Sequence, residues 1–195
     1  MTENLYVLWR TSFIKIVQQY ENATQLQEAA LQGKLTVWTK ELTSIVAETC
    51  KSMNWQVSAK GHRLELLPIP GCEYLGIDVM AFAESDKRWR FPTAAIELEN
   101  SRSDDRIAYS LWKVFCVRAA LRIVFCYRRT PDQISTLINF LRTEVVQAID
   151  TDKLLQLEGE TLIVVGSRAN ADTFPYGFFK WWRLDNQTAT FEKVS

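Results

Sequence analysis

Three acidic side chains, Asp78, Glu97 and Glu99, lie in two mainly apolar stretches of the sequence. Asp78 is flanked by Ile77 and Val79, and a lone carboxylate among buried apolar groups is costly unless it is paired or holds a cation. Glu97 and Glu99 are two residues apart, so on a strand both would point to one face. No fold requires two like charges side by side, so the pattern indicates a chemical role.

The polar segment between the two stretches determines how these acids would meet. A turn centred between Lys87 and Arg88 places Asp78 opposite Glu97, with Cβ atoms about 5 Å apart. Clustered acids raise one another's pKa unless a cation binds, and oxygen-only ligands suit Mg²⁺ or Mn²⁺. In the alternative interpretation, the glutamates form the exposed face of an ordinary strand and Asp78 pairs with an arginine.

Hydrophobic periodicity predicts the elements that would carry these acids. The predicted helices span 4–20, 24–32, 35–53, 104–119 and 131–149. The predicted strands span 55–59, 62–68, 73–83, 94–99, 121–127, 160–166, 177–184 and 188–193. A strand-helix-strand step over 94–127 indicates a parallel pair with a right-handed crossover, and the strands before it should form an antiparallel meander. We therefore expect an α/β fold with a mixed sheet and helices on both faces.

Composition fits one domain over residues 1–195, with a helical extension (1–33), a core (35–149) and a β tail (160–195). The formal net charge is zero, which gives no support for nucleic-acid binding. A single histidine and no C-x-x-C pair argue against a zinc site and against Ser-His or Cys-His catalysis. No run reaches the roughly 18 apolar residues of a membrane helix. Cys116 and Cys126 lie in apolar runs and are expected to be buried thiols in a reducing cytoplasm.

Residues 35–127 resemble the PD-(D/E)xK nuclease superfamily, whose restriction-endonuclease-like core is helix, three-strand meander, helix, strand. The family's acid on the second strand matches Asp78 in GIDVM, and its (D/E)-x-K matches Glu97-Leu98-Glu99 in AAIELEN. The usual lysine is replaced by Glu99, as in some type II restriction enzymes that have Glu-x-Glu there. The proline that normally opens the motif is also absent.

This resemblance implies a Mg²⁺- or Mn²⁺-dependent endonuclease that hydrolyses phosphodiesters, with DNA as the expected substrate. Asp78, Glu97 and the Leu98 carbonyl would hold the metal, and Glu99 would accept a proton from water or bind a second ion. Lys113 is the candidate for a lysine that has migrated to the following helix; otherwise it is a surface side chain. Glu41, which is solvated or points into a cleft, is the candidate outer metal ligand.

The candidate nucleic-acid contacts are Lys87, Arg88, Arg90, Asn100 and Arg102. The K-R-W-R loop would contact phosphates and stack on a base, or it is simply an exposed turn. The aromatic run 178–183 fits DNA contact or an edge strand packed into a partner, and a homodimer is the expected assembly of an enzyme that cuts two strands. The competing interpretation is a nuclease fold that has lost catalysis and acts as a binding or assembly module.

Overall fold

The frame of the molecule is a seven-stranded mixed sheet, seen in a computed structural model that describes residues 4–194. The strands are β1 Gln56–Ala59, β2 Val79–Phe82, β3 Ala94–Leu98, β4 Leu121–Arg128, β5 Glu160–Ser167, β6 Phe179–Asp185 and β7 Thr190–Val194. The helices are α1 Leu5–Val17, α2 Tyr20–Gln32, α3 Leu35–Ser52, α4 Asp104–Phe115, α5 Pro131–Leu141 and α6 Thr151–Leu155. The first three residues of the predicted helical extension, and the last of the β tail, lie outside the described part.

Strand order in the sheet follows chain order. The β1-β2-β3 meander is antiparallel, β3-β4-β5 are parallel, and β5-β6-β7 are antiparallel. Each parallel step carries helices, because a parallel connection needs a crossover longer than a turn. The predicted antiparallel meander and the parallel pair over 94–127 are confirmed.

The sheet separates two hydrophobic cores, so helices cover both faces as predicted. The core beneath α1, α2 and α3 is rich in aromatic rings: Trp9, Phe13, Trp38, Phe125 and Trp181. The core beneath α4 and α5 is mostly aliphatic: Ile107, Leu111, Val124, Leu137 and Ile163. On β3, Ile96 and Leu98 face the first core, so Glu97 between them points to the α4 side. None of the helices in the described part has both the length and the apolar character of a membrane span.

The strand predicted at 62–68 is wrong, and the one at 73–83 is too long. Between β1 and β2 the chain makes only isolated bridges, such as Leu64 with Gly71. Pro68 and Pro70 lack the N–H that a ladder needs. Leu75 and Gly76 have φ values of 56° and 64°, so extended structure begins only at Val79.

Two further predictions about the second half need correction. The helix predicted at 131–149 is not one continuous α-helix. Helix α5 ends at Leu141, one turn of π-helix follows, and α6 forms after that turn. The aromatic run 178–183 is not an exposed edge, because β7 covers β6 on its outer side. Phe179 and Trp181 are buried beneath α1, which leaves them unable to contact DNA or a partner directly.

Candidate functional site

Asp78 and Glu97 lie side by side at the open end of the β2-β3 hairpin. The pairing of Val79 with Ile96 continues to residues 78 and 97, which confirms the predicted register. The Asp78 backbone N–H donates to Glu97 Oε1 at 3.3 Å, and the Leu98 N–H donates to Asp78 Oδ2 at 2.8 Å. Each carboxylate is therefore held by the backbone of the opposite strand.

Lys113, in the last turn of α4, reaches this pair across the packing between helix and sheet. Its Nζ lies 3.0 Å from Glu97 Oε1 and donates to the Gly76 carbonyl at 2.6 Å. The Nζ also lies 5.9 Å from the centre of the Tyr109 ring. The Glu97 side chain is only 5% exposed, whereas the Lys113 side chain is 22% exposed, so the carboxylate is shielded and the ammonium is partly open to solvent. Lys113 thus meets the acids, as expected of a migrated lysine, although its catalytic role stays a prediction.

Burial and nearby negative charges raise the pKa of both carboxyl groups. Burial, and then the negative charge of Asp78, raise the pKa of Glu97 to about 7, against the lowering effect of Lys113. Burial also raises the pKa of Asp78, and the charges of Glu73 and Glu99 add to this rise. The Leu98 N–H and Lys113 oppose it. A cation placed between the carboxylates would stabilise their charged forms.

Glu99 stands near the pair but does not join it in one cluster. Its Oε1 accepts from the Ser101 N–H at 2.7 Å, which turns the carboxylate back toward its own chain. Across residues 4–194, no group of three or more Asp, Glu, His or Cys side chains lies close enough to hold a metal ion. The predicted convergence of three acids on one pocket is therefore not what this structure shows; two carboxylates and a lysine converge.

Glu41 lies on α3, which packs on the opposite face of the sheet from α4. No hydrogen bond or ion pair within 4–194 connects Glu41 with Asp78 or Glu97. Glu41 is therefore not bonded to either carboxylate in the described chain, and an outer-ligand role stays a prediction.

The basic loop at the closed end of the β2-β3 hairpin lies away from the acids. Lys87, Arg88 and Arg90 belong to this loop, whereas Asp78 and Glu97 are at the open end. The loop ends at Thr93, four residues before Glu97 along the chain, which corresponds to a rise of roughly 13 Å. The Arg90 guanidinium donates to the Lys87 carbonyl from Nε at 2.9 Å and from Nη2 at 2.5 Å. Lys87, Arg88 and Arg90 therefore do not flank the two carboxylates, and their role as nucleic-acid contacts stays a prediction.

Asn100 and Arg102 line a cavity of about 680 Å³ that opens beyond the ends of β3 and β4. The Asn100 amide N–H donates to the Thr39 hydroxyl, and Asn100 Oδ1 is buried without a hydrogen-bond partner. Because the Thr39 hydroxyl already donates to the Leu35 carbonyl, it acts as the acceptor for Asn100. The Arg102 guanidinium is exposed and has no partner within the described range 4–194.

Two exposed aromatic side chains beside Lys113 had not been singled out from the sequence. Tyr109 and Trp112 on α4 are stacked, with ring centroids 5.8 Å apart and planes 27° apart. They are 59% and 50% exposed. The sequence pattern counts Trp112 among the apolar residues of a helix packed between other elements, so the exposure of both rings is visible only in the structure.

Comparison with protein-family models finds no match, and comparison with curated proteins finds none either. The fold defines an α/β protein with a mixed sheet, and what the site does has to be judged from its own groups.

Proposed function

We propose that this chain is a metal-dependent phosphodiester hydrolase that acts on nucleic acid, and the expected substrate is DNA. The observation that carries the proposal is the cross-strand pair Asp78–Glu97 with Lys113 at 3.0 Å from Glu97. A buried glutamate paired with a half-buried aspartate is unfavourable for stability alone, and perturbed acids of this kind concentrate at functional sites.

The order of elements around the pair supports a restriction-endonuclease-like core. The sequence α3-β1-β2-β3-α4-β4 is helix, three-strand meander, helix, strand. The two acids occupy the beginning of β2 and the end of β3, and the lysine comes from the following helix. The N-terminal helices and the strands after β4 would be additions to this core.

The two carboxylates fit Mg²⁺ or Mn²⁺, because Mg²⁺ is commonly held by one or two carboxylates and keeps several waters. The raised pKa values of Asp78 and Glu97 also favour a cation, which would compensate their charge. When bound, the metal ion supplies positive charge against the scissile phosphate and lowers the pKa of water. Asp78 and Glu97 would hold it, with the Leu98 carbonyl and Glu99 as further candidate oxygen ligands.

The chain's own groups would divide the remaining work. Glu99 keeps Oε2 free of any hydrogen bond within the described residues, so it can accept the proton of an attacking water. Lys113, whose ammonium pairs with Glu97 here, would supply positive charge to a phosphate oxygen of the substrate. The Gly76 carbonyl accepts a hydrogen bond from the same ammonium and so positions it beside the two acids.

The surface beside the pair favours a nucleic-acid strand over a small phosphodiester. Tyr109 and Trp112 offer flat rings within reach of Lys113, and bases stack on such rings with little sequence preference. Because the chain has no net charge, base stacking and local positive charge would have to supply its affinity for a nucleic-acid strand.

A second candidate is a nuclease fold that binds without cleaving. It is favoured by the Lys113–Glu97 ion pair, which occupies the position a cation would take, and by the way Glu99 turns to Ser101. Both candidates predict strand binding, and only the first predicts metal-dependent hydrolysis. Homodimer formation is an expectation under either.

A plasmid-nicking assay with Mn²⁺ tests the proposal. We expect cleavage by the wild type and a loss of roughly 100-fold or more in Asp78→Asn and in Glu97→Gln, because each removes a charged ligand. Glu65→Gln, which changes an exposed glutamate outside the site, is the matched control and should cut like the wild type. Millimolar Mg²⁺ should also raise the melting temperature of the wild type and of the control, but not that of Asp78→Ala.

Equal nicking by the wild type and both site variants would mean contamination or a wrong site. Absence of nicking together with a metal-dependent rise in melting temperature would favour the binding module. Absence of both effects would refute the metal site.

A further inference from the structure

The cavity next to Asn100 lies where parallel α/β sheets most often bind ligands. It opens beyond the carboxyl ends of β3, β4 and β5, between the end of α2 and the start of α5. Its volume of about 680 Å³ is in the range of small-molecule sites. It is distinct from the Asp78–Glu97 pair, because neither of those residues lines it.

Four arginines line this cavity against two aspartates, so it carries an excess of positive charge in a chain that is neutral as a whole. One of the four, Arg128, is buried and forms an ion pair with Asp104. Arg102, Arg129 and Arg168 are exposed and make no ion pair among residues 4–194.

Two of these arginines are neighbours across the sheet. The pairing of Arg128 with Ser167 continues by one residue to Arg129 and Arg168, and the Ala169 N–H donates to the Arg129 carbonyl at 3.0 Å. Arg129 and Arg168 directly follow the last residues of β4 and β5, so two like charges lie at neighbouring chain positions and repel each other. An anion between them would remove the repulsion.

Tyr127, which also lines the cavity, is affected by the charge of both arginines. Burial raises the pKa of Tyr127, while the positive charges of Arg168 and Arg129 both oppose the rise. Arg168 Nη2 donates to the Leu31 carbonyl at 2.6 Å, which anchors the side chain across the cavity. A guanidinium has five N–H donors, so most of them stay available to a ligand.

One acid on the cavity wall, Asp132, opposes the positive charge of the arginines. Asp132 lies in the first turn of α5 and makes no ion pair within the described chain. Its charge opposes anion binding and offsets the positive end of the helix dipole. The three unpaired arginines outnumber it, so the balance still favours an anion of two or more negative charges.

We infer that this cavity binds a phosphate group, gripped by the guanidiniums of Arg129 and Arg168 with Arg102 at the rim. Guanidinium forks match phosphate oxygens in pairs, which makes phosphate the anion best suited to these side chains. The phosphate would be the terminal or an internal phosphate of a nucleic-acid strand, or that of a free phosphorylated compound. The strand as its source rests on the proposed function; phosphate binding itself does not.

Calorimetric titration with pyrophosphate in EDTA at low salt tests the cavity apart from any cleavage. Arg129→Gln and Arg168→Gln should each weaken binding about tenfold, equivalent to about 1.4 kcal/mol, and the double variant more. Asp132→Asn should tighten binding several-fold, which a general loss of folding cannot imitate. Arg63→Gln, an exposed arginine outside the cavity, is the matched control and should bind as the wild type does.

Binding of 5′-phosphorylated and 5′-hydroxyl oligonucleotides of one sequence then separates the sources. Tighter binding of the phosphorylated strand, lost in Arg129→Gln, identifies a terminal phosphate. If Arg129→Gln weakens the binding of both strands equally, the ligand is an internal phosphate. If it weakens only the binding of pyrophosphate, the ligand is a free phosphorylated compound. No pyrophosphate binding by the wild type, or equal affinity in the wild type and the double variant, would overturn the inference whether or not the protein cuts DNA.

Discussion

Replacing Glu97 by glutamine tests whether this carboxyl is held in the folded protein at a cost to stability. Its pKa is raised from the ordinary 4.5 to about 7. Between these two pH values the folded protein keeps a proton that the unfolded chain releases. The contribution of Glu97 to the free energy of unfolding therefore falls as pH rises through this window, and that contribution is constant above it. Glutamine keeps the shape of the side chain without the charge.

The size of the effect follows from the two pKa values. A tenfold difference in proton affinity corresponds to about 1.4 kcal/mol, so charged Glu97 lowers stability by about 3 kcal/mol at pH 8 and by less than about 1 kcal/mol at pH 5. The stability of Glu97→Gln relative to wild type should thus increase by about 2.5 kcal/mol between pH 5 and pH 8. For a chain of this length that is roughly 5 to 10 °C in melting temperature.

Thermal unfolding followed by circular dichroism at the two pH values, in EDTA, measures this change. Glu65→Gln, an exposed glutamate with no partner in the described chain, should change by less than about 0.5 kcal/mol. If Glu97→Gln differs from wild type by the same amount at both pH values, the carboxyl titrates normally. The case for a cation that relieves buried charge would then fail.

Two further predictions follow from side chains around the site and in the cores. Lys113→Met should tighten Mg²⁺ binding severalfold, measured by calorimetry, because it removes a competing positive charge. The same variant should slow cleavage by roughly 100-fold, measured as a single-turnover rate. Tighter metal binding with unchanged cleavage would exclude a role of Lys113 in the reaction. Iodoacetamide should alkylate the exposed Cys72 and Cys116 quickly, and it should alkylate the buried Cys50 and Cys126 only after unfolding. The reason is that burial raises the pKa of both buried thiols to about 12. Mass spectrometry counts the alkylated thiols. Four thiols reacting at one rate would contradict the core packing.

Cys116 also shows where local pattern misleads. Its apolar neighbours predicted a buried thiol, but α4 ends at Phe115 and the following turn exposes the side chain. The strand predicted at 62–68 is wrong for a related reason. Alternation of apolar residues describes which side chains are buried, whereas Pro68 and Pro70 determine whether the backbone can join a ladder.

The sequence by itself determined features that depend on short-range geometry. The end of α2 at Gly33, with a φ of 67°, follows from the conformational freedom of glycine. The pairing of Asp78 with Glu97 follows from the length of the hairpin turn, because strand residues alternate faces and a turn fixes the register.

The tertiary structure decided everything that depends on how separate elements pack. Lys113 meets Glu97 only because α4 lies across β3, and the basic hairpin loop is remote because turn and acids occupy opposite ends of two strands. Arg129 and Arg168 are 39 residues apart in the chain and become neighbours through the parallel register of β4 and β5. Periodicity gives each element its buried face, but the distances between elements are set by the packing of both cores against one sheet.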